Sequence, residues 1–173
     1  MTCIIALEVD GGVWIGSDAW LGDGATVDRV SSPKIHRAGP WVVGYAGIAG
    51  HAQAVLDHLE VGVRSKRVHD AWIRAVFRRA AKAALASLPS DDDGLQAVFL
   101  VLVDGRVWSV DGSCAVTRSA HGYAAIGAGA AVALGALHAT AGKEPRKRIL
   151  AALHAAAAHA DGVAPPFHVE VIQ

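Results

Sequence analysis

The chain has 173 residues, with 16 basic and 16 acidic side chains, so no net field draws it to nucleic acid or to an anionic membrane surface. Hydrophobic residues make up 53%, yet no apolar run reaches the ~20 residues that cross a bilayer. Apolarity without a span predicts surface hidden against other subunits. Two cysteines, Cys3 and Cys114, make no disulfide framework, and no charged-then-apolar leader precedes the first β-rich run, which predicts a cytoplasmic protein. The length predicts one domain spanning 1–173.

The runs "TCIIALEV" and "VWIGSD" flank Asp10-Gly11-Gly12, a hairpin signal. Both are apolar at nearly every position, as in strands covered on two faces. "ATVDRV" reads as a short strand, and "KIHRAGPWVVGYAG" as a second hairpin turning at Ala38-Gly39-Pro40. From Ala49 the period changes. Ala52, Val55, Leu56, Leu59 and Val63 follow the spacing of an amphipathic helix.

A second helix is expected from about Asp70 to Leu88, burying Ile73, Val76, Phe77, Ala80 and Ala84, and "PSDDDG" breaks it. "LQAVFLVLVDGRVWSVDG" is a third hairpin, turning at Asp104-Gly105. The strand "YAAIG" leads through a glycine pair into an Ala-rich helix to about Ala141. A further helix has Pro145 in its first turn and Gly162 after its end. "FHVEVIQ" closes as a strand. The order of strands, helix pair, strands, helix pair and strand predicts an α+β, four-layer αββα sandwich of two antiparallel sheets.

The first hairpin holds the chemistry. With a three-residue loop, Ile4 faces Asp18 and Thr2 faces Trp20. Alternation then puts Thr2, Ile4 and Asp18 on one sheet face. A carboxylate in a covered sheet needs a cation, and Lys34 in the next hairpin is the candidate. Each residue alone has a plain structural reading: a common second residue, a strand end, a surface charge. Together they make a hydroxyl at the chain start, a buried acid and a buried base.

These residues resemble those of proteasome β-subunits and HslV-type (ClpQ) peptidases, which are N-terminal nucleophile hydrolases. The likeness covers nearly the whole chain. Its motifs are the early threonine, Asp18 in "GSDAW", Lys34 in "PKIHR", the strand-to-helix segment "VVGYAGIAGHAQ" and the Gly-rich turn "AIGAGAAVALGAL". The resemblance implies a self-compartmentalised protease of identical subunits in stacked rings, with polypeptide substrates, an ATP-dependent unfoldase as partner and no cofactor. It implies catalytic roles for Thr2, Asp18, Lys34 and Gly47, and a first substrate pocket of Leu21, Ser32, His36, Tyr45 and Ala49.

The chemistry suits those residue types. Removal of Met1 makes Thr2 the nucleophile and its α-amine, of ordinary pKa ~7.7–8.0, the general base. A charged Lys34 oriented by Asp18 lowers the neighbouring pKa values. Gly47, at a strand-to-helix turn, offers a backbone N–H to an oxyanion. Two departures stand out. Gly127-Ala128-Gly129 occupies the place of the family's Gly-Ser-Gly, and Asp161-Gly162-Val163-Ala164 lacks the late serine. A small-molecule amidase and an inactive ring scaffold therefore remain open, because one fold hosts several chemistries. "GAGAAV" lacks the third glycine of a dinucleotide turn, and His154 and His159 lie on different helix faces, so neither points to a cofactor or metal.

Overall fold

The computed structural model describes residues 2–22, 27–30, 34–60, 69–88 and 94–173. In chain order, β1 (Ile4–Val9), β2 (Gly12–Asp18), β3 (Trp20–Gly22), β4 (Val27–Arg29), β5 (Ile35–Ala38) and β6 (Trp41–Gly47) precede α1 (Ala49–Asp57) and α2 (Asp70–Ser87). Then β7 (Ala97–Val103), β8 (Arg106–Val110), β9 (Val116–Thr117) and β10 (Tyr123–Ile126) lead to α3 (Ala130–Ala139), α4 (Pro145–His159) and β11 (Phe167–Ile172). The expected sequence of elements is present. The predicted helix ends shift inward by one or two residues at Ser87 and Ala139; α1 stops at Asp57, so Leu59 is buried beyond the helix rather than on its stripe, and Val63 lies outside the described residues.

Two antiparallel sheets, ordered β10-β1-β2-β11 and β5-β6-β7-β8-β9, form the middle layers. Between them Ile4, Ala6, Val13 and Ile15 of the first pack on Val42, Ala46, Leu100, Leu102 and Val107 of the second. The other face of β1 sends Cys3, Ile5 and Leu7 against Leu137 of α3 and Ile149, Ala152 and Leu153 of α4. The outer face of β6 and β7 sends Trp41, Val43, Phe99 and Val101 against α1 and α2. Thus both faces of the central strands are covered, which is why their sequences show no polar alternation. This is the predicted αββα sandwich. Each fully buried large side chain contributes roughly 1.5–3 kcal/mol; Trp41 stacks on Phe77 at a centroid distance of 6.1 Å, and Phe99 meets Phe77 tilted at 5.2 Å, anchoring the α1–α2 side.

The register of the first hairpin differs from the expectation by one residue. Val9 pairs with Gly12, so the loop is Asp10-Gly11 alone, and Ile4 pairs with Ser17 rather than Asp18. Gly11, at φ +88°, adopts the left-handed conformation that a two-residue turn demands. Opposed residues share a face. Ser17 therefore joins Ile4 between the sheets, while Asp18 falls across from Cys3, and Thr2 precedes the strand. The single-face arrangement of Thr2, Ile4 and Asp18 is corrected accordingly.

Candidate active site

Although the register moved, the three residues still meet. Lys34 Nζ donates to Thr2 Oγ1 at 2.8 Å and to the two Asp18 carboxylate oxygens at 3.2 and 3.1 Å. All three side chains are buried: Asp18 is 0% exposed, Lys34 5% and Thr2 6%. The ammonium, not a shared sheet face, joins acid to hydroxyl. Asp18 is fixed in turn by backbone donors, Cys3 N–H at 2.8 Å and Trp20 N–H at 3.1 Å. Its carboxylate therefore meets two amides and one cation, which is how a charge survives at zero exposure.

Burial pulls the Lys34 ammonium below its ordinary 10.5, and the charge and hydrogen bond of Asp18 partly oppose that pull. The Cys3 thiol is pushed up to about 12, first by burial and then by the negative charge of Asp18. Both effects disfavour the thiolate of Cys3, whose side chain packs towards α3 and α4.

The Gly-rich turn after β10 cradles the backbone of Thr2. Gly129 N–H donates to the Thr2 carbonyl oxygen at 3.3 Å. A Cβ at Gly127, where φ is +92°, would collide with that same oxygen. Ala128, between the two glycines, is exposed.

Gly47 ends β6 at φ +109°, and a Cβ there would strike the Gln96 carbonyl oxygen. Ile48 N–H donates to that carbonyl at 2.9 Å, and Gln96 N–H donates to His51 Nδ1 at 3.1 Å. Of the expected pocket residues, Tyr45 is half-buried against the α1–α2 core, two residues before Gly47. His36 is exposed on β5 opposite Val43, which places it on the Tyr45 face. Ala49 opens α1, half-buried. Leu21 stands 46% exposed on the separate β3–β4 ribbon, and Ser32 lies outside the described residues.

Two buried polar side chains had not been singled out from sequence. Ser17 Oγ is fully buried and has no hydrogen-bond partner among the described residues. His51 is 4% exposed. The signal for His51 was there: it lies four residues before Val55, on the buried stripe of α1, and a polar group on such a stripe must find a partner. Among the described residues no set of three His, Cys, Asp or Glu is placed to hold a metal ion, and no helix is long and apolar enough to cross a membrane.

Solved structures repeat this architecture. Thiobacillus denitrificans BPH in complex with epoxomicin superposes with a TM-score of 0.85 at 21% identity, covering 99% of this chain and 98% of that one. Eukaryotic HslV from Trypanosoma brucei gives 0.74 at 24% identity, covering 98% of each chain. Anbu from Hyphomicrobium sp. strain MC1 gives 0.75 at 15% identity, covering 99% of this chain and 82% of that one. A search of curated protein sequences gives no match. The family model for proteasome subunits, however, matches residues 1–157, so the chain belongs to the proteasome subunit family.

Proposed function

We propose that this is a threonine-type N-terminal nucleophile peptidase subunit, one domain whose identical copies form stacked rings in the cytoplasm. The observation that carries the reading is the 2.8 Å hydrogen bond from buried Lys34 to Thr2 Oγ1, with Asp18 behind the ammonium. After loss of Met1, the Thr2 α-amine takes the hydroxyl proton as Oγ1 attacks the peptide carbonyl carbon. Lys34 stabilises the developing alkoxide, and the Gly47 N–H receives the carbonyl oxygen as it becomes an oxyanion. The Thr2 ammonium then protonates the departing amine. An ester on Oγ1 remains, which water hydrolyses with the α-amine again as base.

Tyr45, Ala49, Leu21, Ser32 and His36 are proposed to receive the side chain before the scissile bond. With no fixed charge among them, apolar side chains are preferred over acidic ones. An ATP-dependent unfoldase would deliver polypeptide to the enclosed chamber. One observation favours a second reading, an inactive ring scaffold: Ala128 gives no hydroxyl to the Thr2 amine.

Intact mass and peptide-amide hydrolysis on native protein and Thr2→Ala separate the two. The peptidase lacks Met1, and its Thr2→Ala variant keeps the fold while losing turnover by at least about 10³-fold. Epoxomicin, with which the Thiobacillus protein was solved, should add its mass to the peptide beginning at Thr2. Full turnover by Thr2→Ala, or an adduct on Cys3, overturns the assignment. Inert native protein favours the scaffold.

A further inference from the structure

We infer that His51 is a positioning residue that fixes the backbone of Gly47, and hence the amide proposed above to receive the oxyanion; its catalytic consequence rests on that proposal. The β6–β7 ladder ends with Gly47 opposite Ala97. One step later β6 has bent into α1, where Ala52 N–H donates to the Ile48 carbonyl at 3.1 Å, so only half of the next backbone pair forms. The step is completed in another way. Ile48 N–H donates to the Gln96 carbonyl at 2.9 Å, and the reciprocal donor, Gln96 N–H, goes to His51 Nδ1 at 3.1 Å. A side chain from the first turn of the helix thus stands in for the missing carbonyl of the strand.

The protonation state follows from the donor. A backbone amide can only donate, so Nδ1 accepts and the proton of the neutral ring sits on Nε2. The consequence for Gly47 is steric. Its Cα abuts the Gln96 carbonyl so closely that no Cβ fits, and a Cβ at Gly112 would likewise strike the Leu95 carbonyl. The Leu95–Ala97 segment is therefore packed between two glycines and tied to α1 by His51. Wherever the Gln96 carbonyl sits, Gly47 must follow. An oxyanion donor tolerates about 0.5 Å of displacement, so a tie this close to the donor bears on rate more than on substrate binding.

The test compares His51→Asn, whose side-chain oxygen falls near the Nδ1 position, with His51→Gln, whose oxygen reaches further, and His51→Leu, which accepts nothing. Each is assayed as full-length protein on a peptide-amide substrate beside Thr2→Ala. His51→Leu should lower kcat by between about 10- and 100-fold with KM within twofold, His51→Gln should resemble it, and His51→Asn should regain most of the loss. Amide hydrogen exchange gives a readout without turnover: Gln96 N–H should lose protection in His51→Leu and keep it in His51→Asn.

Wild-type kcat in His51→Leu, a loss carried by KM alone, or unchanged Gln96 exchange overturns the inference. If Thr2→Ala still turns over substrate, the nucleophile proposal falls instead. The tie between His51 and Gln96 is then judged on exchange alone, supported by lost protection in His51→Leu and overturned by none.

Discussion

The two ends of the β1–β2 hairpin each hold a carboxylate against cations, and they behave as different chemistry. At the turn end, Glu8 meets Arg106 at 3.2 Å and Arg118 at 3.3 Å, and accepts Val107 N–H at 2.8 Å. Arg106 is 59% exposed there, Arg118 37% and Glu8 itself 12%, on the edge of an open concavity of about 1330 Å³. At the open end, Asp18 meets Lys34 with 0% and 5% exposed. Water screens the first set, so it amounts to a surface clasp between the sheets. Removal of water from the second raises the energy of the ammonium and keeps it next to a hydroxyl. Burial of the cation, not residue type or cavity size, distinguishes the two ends.

The sharpest way to break that comparison is to remove one cation from each end. Lys34→Met leaves Asp18 buried with only its two amide donors, so unfolding in denaturant should show a loss of about 3–5 kcal/mol, along with lost turnover. Adding Asp18→Asn to Lys34→Met should recover most of the stability and none of the activity. A Lys34→Met protein as stable as wild type would mean that the pair is screened after all, and that the two ends are alike.

Alkaline pH sharpens the same point, because the neighbouring groups at the buried end shift in opposite directions. Lys34 is lowered from 10.5 in the fold, so between its folded value and 10.5 the unfolded chain holds the extra proton. Stability contributed through Lys34 therefore rises with pH across that window, and the cost of the buried charge is fully present below it. Cys3 is raised from 9.0 to about 12. Its contribution is full below 9.0 and is lost as pH climbs towards 12. Urea midpoints followed from about pH 8 to 11 should fall less steeply in Cys3→Ala than in wild type, and should lose the rising component in Lys34→Met. A Cys3→Ala curve parallel to wild type throughout would contradict the assignment of Cys3 to the buried end.

Much of this contrast was legible in the sequence. The helices announced themselves by period at Val55 and Leu56 and at Ile73, Val76 and Phe77, all buried as expected. Lys34 could be paired with Asp18 because a carboxylate inside a covered sheet demands a cation. The register could not be read, because Asp10-Gly11-Gly12 admits loops of two or three residues and one residue inverts every face. The constellation survived that error because the long lysine side chain, rather than strand alternation, closes it. The tie from His51 to Gln96 was beyond reach for a different reason. It joins residues 45 apart, and only the demand for some partner, not its identity, was visible in α1.

A smaller effect is expected at Ala128. It is exposed between Gly127 and Gly129, the two glycines that hold the Thr2 backbone. A serine at this exposed position, as the resemblance leads one to expect, is proposed to offer its hydroxyl to the Thr2 amine. One neutral hydrogen bond contributes roughly 0.5–1.5 kcal/mol, so Ala128→Ser should raise kcat by at most about tenfold with no change in melting temperature. Unchanged kcat would indicate that Lys34 and Asp18 already organise the site. Activity appearing only in Ala128→Ser would instead identify the native chain as a decayed peptidase.

The smallest effect belongs to the turn end, and it is what makes the comparison quantitative. Arg106→Ala removes one partner of Glu8 but leaves Arg118, which also lies 5.3 Å over the Trp108 ring, and leaves the Val107 amide. The carboxylate thus keeps a cation and a donor, and water can solvate whatever is released. The loss should be under about 1 kcal/mol and should shrink further at 1 M salt, where screening acts within about 3 Å. The deficit of Lys34→Met should hardly respond to salt, since ions do not reach a site at zero exposure. Measured together in low and high salt, the two variants should therefore diverge in salt sensitivity as well as in size. If Arg106→Ala matches Lys34→Met in either respect, exposure does not govern these pairs, and the difference between a buried ammonium at one end and a surface clasp at the other must be sought in backbone geometry alone.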